Sequence, residues 1–169
     1  YCNHLSPSEF EFKASKNGYI SLEIMNLKYT DSSSIVTLCD TNETELTTVT
    51  VRDILQPKTA SYVVKKGNQY KIKVYALDVN GKNFYQIKTK FVGKTNQGGA
   101  SKKKATKVTY GEKGYGIAFA EEANKKADWF KITVPKKQRV KFSCTSTMSS
   151  GSLLVDIYDT EGKLLVKEY

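Results

Sequence analysis

Apolar residues in this chain recur at every second position rather than every third and fourth. The alternation is clearest in Ile20, Leu22 and Ile24, in Tyr70, Ile72 and Val74, and in Val155 and Ile157. A period of two sends successive side chains to opposite faces, so these segments are predicted to be β-strands with one buried face. Thr, Tyr, Val and Ile, which suit a pleated surface, are plentiful. The predicted strands cover residues 10–14, 19–25, 35–39, 47–51, 61–64, 70–75 and 84–92, and then 107–110, 115–120, 129–134, 140–145, 153–158 and 164–167. Turn residues separate them: Asn17-Gly18, Lys66-Gly67-Asn68, Asn80-Gly81, residues 135–138, residues 149–152 and Glu161-Gly162. The one helix candidate is residues 121–126. Many short strands with frequent turns predict an all-β chain, organised as two tandem jelly-roll-like antiparallel β-sandwich domains.

Residues 93–106, GKTNQGGASKKKAT, carry no buried pattern. They mark a linker, giving a first sandwich over 1–93, a linker over 94–106 and a second sandwich over 107–169. The segments on either side resemble each other. Phe10 aligns with Phe130, and Ile20, Leu22 and Ile24 align with Val140, Phe142 and Cys144, at an offset of 120 residues. After a one-residue shift, Val36, Leu38, Asp40-Thr41 and Leu46 align with Val155, Ile157, Asp159-Thr160 and Leu165. Self-similarity at this spacing predicts two copies of one domain. Neither copy is whole: the first lacks counterparts of residues 107–120, and the second lacks counterparts of residues 62–92. The second copy is therefore expected to expose ladder groups and part of a core, and to self-associate through its open sheet edges or accept a strand.

Composition narrows the chemistry. The 169 residues are 39% hydrophobic and 26% charged, with 27 Lys plus Arg against 17 Asp plus Glu and a formal charge of +10. That balance excludes a disordered or collagen-like chain, and no apolar run reaches the roughly 18 residues of a transmembrane segment. Only Arg52 and Arg139 are arginines. The charge is carried by lysines that alternate with apolar residues, the pattern of a wet strand face, so no specific nucleic-acid partner is expected. A basic face of this kind still favours anionic polymers or membrane surfaces. A histidine-based triad would have to use His4, the single histidine, near a chain end. Tyr1 is preceded by no charged or apolar leader, as expected of an intracellular protein or of a mature chain whose signal has been removed.

Cys2, Cys39 and Cys144 lack metal-binding spacing. Cys144 is in phase with Val140 and Phe142, which predicts a buried thiol. Cys39 is out of phase with Val36 and Leu38 and should point away from the core, where a disulfide with Cys2 is possible in an oxidising compartment.

The run Ala127-Asp128-Trp129-Phe130-Lys131-Ile132-Thr133-Val134-Pro135, then Val140-Lys141-Phe142, then residues 153–165 with Tyr158-Asp159-Thr160-Glu161-Gly162, resembles bacterial pre-peptidase C-terminal domains. Those domains share an acidic-aromatic strand, a hairpin and a "lyd.dG..l" strand and turn. Residues 64–75 are similar to their closing "l.aGtYyikV" strand. The resemblance implies a jelly-roll-like sandwich, secreted or on the cell surface, serving as an accessory module. Relatives of that fold include collagen-binding and carbohydrate-binding modules, some of them with bound calcium.

Candidate sites follow from chemistry of this kind. Tyr75, Tyr110, Tyr115 and Tyr158 lie on predicted strands and are the speculative ligand-binding rings, with Tyr158 out of phase with Val155 and Ile157 and hence outside. For any one of them cross-strand packing at a half-buried edge is the favoured reading, and Trp129 is expected to pack rather than to touch a ligand. Glu121, Glu122 and Asp128, with Asp156 and Asp159, are the acidic residues to consider for calcium, although their spacing fits no EF-hand loop. No catalytic residues are predicted. Asn42-Glu43-Thr44 matches a glycosylation sequon by pattern alone. The expectation is a non-enzymatic module for adhesion, for glycan or extracellular matrix protein binding, or for spacing. The alternative is a structural subunit of a surface assembly joined by strand complementation or swapping.

Overall fold

In the segment from Gly18 to Asn26 every second residue is buried and every intervening one is half-buried, the alternation that the sequence predicts. The computed structural model describes residues 2–3, 5–27, 32–119, 122, 126–149 and 151–168. His4, Glu121 and most of the predicted helix at 121–126 lie outside the described residues. The strands are β1 (Cys2–Asn3), β2 (Ser8–Lys13), β3 (Gly18–Asn26), β4 (Ser34–Cys39), β5 (Glu45–Val51), β6 (Lys58–Val64), β7 (Gln69–Ala76), β8 (Lys82–Asn83), β9 (Tyr85–Gly93), β10 (Thr106–Lys107), β11 (Phe130–Lys131), β12 (Val155–Tyr158) and β13 (Leu164–Glu168). The chain is nearly all β.

Two antiparallel sheets form from residues 8–93, one in the order β2-β7-β4-β5 and the other β6-β3-β9, and the short strands β1 and β8 pair antiparallel beside them. Their inner faces meet through Ile20, Leu22 and Ile24 of β3, Val36 and Leu38 of β4, and Ile72 and Val74 of β7, with Val51, Val64 and Cys2 in the same cluster. Burying a side chain of this size stabilises by about 1.5–3 kcal/mol. Asn26, wholly buried at the end of β3, donates from Nδ2 to the carbonyl of Val51 at 3.0 Å and ties β3 to β5 across the gap between the sheets.

Strand β4 is buried on both faces. Its outward residues Ile35, Thr37 and Cys39 lie opposite Tyr75, Lys73 and Lys71 of β7, whose long side chains cover the shorter ones. Thr37 and Thr48 share a hydroxyl hydrogen bond of 3.1 Å on that face. Glu43, in the β4–β5 turn, closes the cover. Its carboxylate accepts from Lys71 Nζ at 2.6 Å and pairs with Lys73, while Glu9 Oε2 stands 3.5 Å from Lys71. Glu43 has a φ of 63°, the left-handed region that favours glycine. The two lysine contacts offset that backbone strain.

The second region contains far less regular structure. Lys102–Lys104 form a 3₁₀ turn capped by Ser101, β10 and β11 pair in parallel, and β12 and β13 form a hairpin. Among the described residues beyond Gly93, Gly99 is the one that is buried. Residues 140–145 form no strand, and neither do the described residues of 115–120. The physical reason is pairing: β3 has β6 on one edge and β9 on the other, whereas 140–145 pair with no strand among the described residues. Two expectations are corrected here. Cys144 is exposed, not buried, and Phe142 in the same phase is 51% exposed. Contacts between this region and the first include Ser61 with Ser149, where the Ser61 amide donates to Ser149 Oγ at 2.7 Å and the Ser149 amide donates to the Ser61 carbonyl at 3.1 Å, and Lys65, which pairs with Glu122 at 2.7 Å and stands 5.5 Å from the centre of the Phe119 ring.

The hairpin β12–β13 reproduces β4–β5 position for position at an offset of 119 residues. Val36 faces Val49 and Val155 faces Glu168; Cys39 faces Glu45 and Tyr158 faces Leu164; the register slips after Leu38 in one and after Ile157 in the other. The turns match as well. Asp40 Oδ1 accepts from the amides of Asn42 and Thr44 at 2.8 and 2.9 Å, and Asp159 Oδ1 accepts from those of Glu161 and Lys163 at 3.0 and 2.8 Å. At the left-handed position Glu43 is matched by Gly162, φ 94°.

Truncating the inner face should cost far more than truncating an apolar residue of the second region. Leu22→Ala or Ile72→Ala should lower stability by about 2–5 kcal/mol in urea denaturation, and Phe142→Ala by no more than about 0.5 kcal/mol. Comparable losses at Leu22 and Phe142 would contradict this placement of the core.

Glu43 gives a pH test. Its hydrogen bonds with Lys71 and Lys73 hold its carboxyl below the usual carboxylate range. The stability it supplies is therefore present above the unfolded value of about 4.3 and is lost as pH falls through the depressed folded value. Glu43→Gln should be less stable than the native chain at pH 7, and the difference should vanish under strongly acidic conditions. A gap that persists at low pH would show that charge is not its source.

Candidate functional site

Asp128 and Trp129 sit where three segments of the second region converge. The Trp129 amide donates to the carbonyl of Gly99, and the Gly99 amide donates back, each at 2.9 Å; the Thr106 amide donates to the same Trp129 carbonyl at 2.9 Å. Asp128 binds two loops with its carboxylate, accepting from Asn96 Nδ2 at 2.7 Å and from the Ile117 amide at 3.0 Å. Gly98 and Gly99 make this approach possible. A Cβ on Gly98 would collide with the Asp128 side chain, and one on Gly99 with the carbonyl of Lys104. The Gly-Gly pair read as linker is thus part of the scaffold that holds Trp129, and the doublet Gly98-Gly99 was its signal in the sequence.

This frame sets the half-buried Trp129 ring 5.7 Å from the ring of Tyr158, tilted by 32°. Tyr158 lies on β12, is 38% exposed, and donates from its hydroxyl to Asp156 Oδ2 at 3.1 Å. Accepting that proton fixes the phenol as a donor and pushes its pKa upward. Nearby, the Lys102 ammonium reaches Gly162 at the tip of the β12–β13 turn.

Neither a family model nor a curated protein matches the chain.

The other candidate tyrosines lie on different elements. Tyr75 is half-buried on β7, opposite Ile35 in the first sandwich. Tyr110 and Tyr115 are exposed at 46% and 56% on the loop between β10 and β11, where Gln97 accepts from and donates to the Tyr115 backbone. Trp129, expected to serve packing, is the aromatic partner of Tyr158. That it packs was expected; that its partner is Tyr158 was not legible, because alternation does not report which strand will lie beside which.

Among the described residues no three His, Cys, Asp or Glu side chains gather as a metal site. Glu122 accepts from Lys65 and Lys126, which hold its carboxyl below the usual range, and Asp128 is committed to its loops. Glu121 lies outside the described residues. No helix among the described residues is long and apolar enough to cross a membrane. A groove of about 380 Å³ runs beside β2 and β9, lined by Phe10, Phe12, Ile72 and Phe91, with Glu11 as its one carboxylate. It offers apolar contact and no acid–base pair.

The three cysteines are all unbridged. Cys2 belongs to the interior cluster, whereas Cys39 faces outward from β4 as expected, yet is only 2% exposed beneath the Lys73 and Glu43 cover. The two thiols lie on opposite sides of a sheet, so the geometry does not bring the Cys2–Cys39 pair together. Burial pushes both thiols up. A thiol reagent at neutral pH should label one cysteine per native chain, and Cys144→Ser should abolish it. Labelling of all three before unfolding would contradict the buried positions of Cys2 and Cys39.

Proposed function

We propose that this chain is a non-enzymatic binding module of a modular bacterial surface or secreted protein, and that it holds a glycan on the Trp129–Tyr158 pair. The observation that carries the reading is that pair. Two adjacent, half-exposed rings are anchored by a backbone frame, with a carboxylate beside them. Aromatic faces stack on the apolar faces of sugar rings, while an acceptor such as Asp156 takes the hydroxyls. Because the frame orders Trp129 beforehand, little entropy is lost on binding. The resemblance to pre-peptidase C-terminal domains supports the same accessory role, and the net positive charge suits an anionic glycan.

A glycan array run alongside a panel of matrix proteins tests the reading, followed by titration of the best ligand. Trp129→Ala and Tyr158→Ala should each weaken glycan binding about tenfold or more. Tyr75→Ala, on the other sheet, should leave it unchanged. Saturable binding to a matrix protein without glycan binding, or equal loss with Tyr75→Ala, would overturn the assignment.

A further inference from the structure

The two sheets of the first sandwich close on one side only. Strands β5 and β6 lie together along one pair of edges, whereas β2 and β9, at the other, are each paired with one strand among the described residues. Their inner faces are left half covered. Phe10 and Phe12 stand opposite Ile72 and Tyr70, and Ile87, Thr89 and Phe91 stand opposite Ile24, Leu22 and Ile20, all in the core phase, yet Phe10 is 45% and Phe91 38% exposed. The groove of about 380 Å³ lies between these two rows.

The groove has two unlike ends. Ser8, where β2 begins, shares a hydrogen bond with Tyr85, where β9 begins, so the two strands start at the same end. At the other end the Lys16 stem lies against Gly93, and the Lys94 amide donates to the carbonyl of Asn17 at 2.9 Å. There Phe91 also lines a second pocket, of about 420 Å³, together with Ser15, Lys16, Lys94 and Thr95. No carboxylate lines this pocket, and neither lysine forms an ion pair among the described residues. Glu11, the carboxylate beside the groove, is in the outward phase with Glu9 and stands 3.9 Å from Lys71. An apolar slot therefore leads to a cationic mouth that also carries hydroxyls.

We infer that this slot binds a single-chain fatty acid, its hydrocarbon tail between Phe10, Phe12, Ile87 and Phe91 and its carboxylate at Lys16 and Lys94. Charge complementarity sets the orientation, because only this end offers two ammonium groups together with the Ser15 and Thr95 hydroxyls. From Ile87 to Gly93 the strand runs for about 20 Å, enough for the tail of a medium-chain acid. A peptide between the inner faces would bury amides that the side chains there cannot partner, Thr89 being their one neutral polar group. A hydrocarbon tail has none to satisfy. The inference stands apart from the glycan reading, which uses the rings of the second region.

The test titrates the full chain calorimetrically with decanoate, decanol and decyltrimethylammonium, each below the concentration at which it aggregates. Decanoate should bind once per chain and about tenfold more tightly than the cationic amphiphile. Replacing both mouth lysines, Lys16→Glu with Lys94→Glu, should weaken decanoate about tenfold and leave decanol unchanged. Thr89→Trp, which fills the groove, should weaken both. Circular dichroism checks that these variants keep the fold, and the head-group series on the native chain keeps the test decisive if they do not. Trp129→Ala should leave decanoate binding unchanged, which separates this site from the glycan site. Absence of binding, equal affinity for the three amphiphiles, several weak sites per chain, uptake from phospholipid vesicles alone, or a dimer in sedimentation whose β2 and β9 edges occupy the groove would each overturn the inference.

Discussion

The first sandwich depends on β4 being enclosed on all sides. Two strands occupy its edges, β3 covers its inner face, and the side chains of β7 cover its outer face. A six-residue strand in which every residue is buried cannot satisfy its backbone from solvent, so its neighbours must provide every partner. Strand β7 serves twice, supplying Ile72 and Val74 to the core and Lys71 and Lys73 to the cover. The Glu43 carboxylate that locks those lysines does so from a backbone conformation that glycine would adopt more readily. The turn thus gives up local ease for a contact that only the assembled sheet provides.

The second region shows the same hairpin without the enclosure. Its turn uses Gly162, its strand carries Asp156 in place of Thr37, and its outward residues are exposed or half-exposed. What orders the region instead is a polar frame around Asp128 and the Gly99–Trp129 bridge, and this frame, not a hydrophobic core, positions the Trp129 and Tyr158 rings. Hydrogen bonds of this exposed kind each contribute about 0.5–1.5 kcal/mol net, less than a buried Leu or Ile. The region therefore contributes less to the stability of the fold than the first sandwich does.

Much of the first sandwich was legible in the sequence. Seven predicted strands reappear as β2 to β7 and β9 with ends shifted by a few residues, because strict alternation in Ile20, Leu22, Ile24 and in Tyr70, Ile72, Val74 encodes a buried face wherever a partner exists. The alternation of residues 140–145 is of the same kind, yet no strand forms there. A local pattern specifies which side of a strand is apolar and is silent about whether a neighbour is present. For the same reason the outward phase of Cys39 was readable while its burial was not: its cover comes from Lys71 and Lys73, more than thirty residues away.

By itself, then, the chain's alternation of apolar and polar residues determined an all-β architecture, the faces of its strands and the turn shared by Asp40 and Asp159, since these follow from short-range geometry. Only the tertiary structure decided which strands acquired partners, that Trp129 stands beside Tyr158, that Asp128 fastens loops, and that β12 has a single neighbouring strand among the described residues. Those outcomes rest on contacts between distant segments, and no short stretch of sequence contains both halves of such a contact.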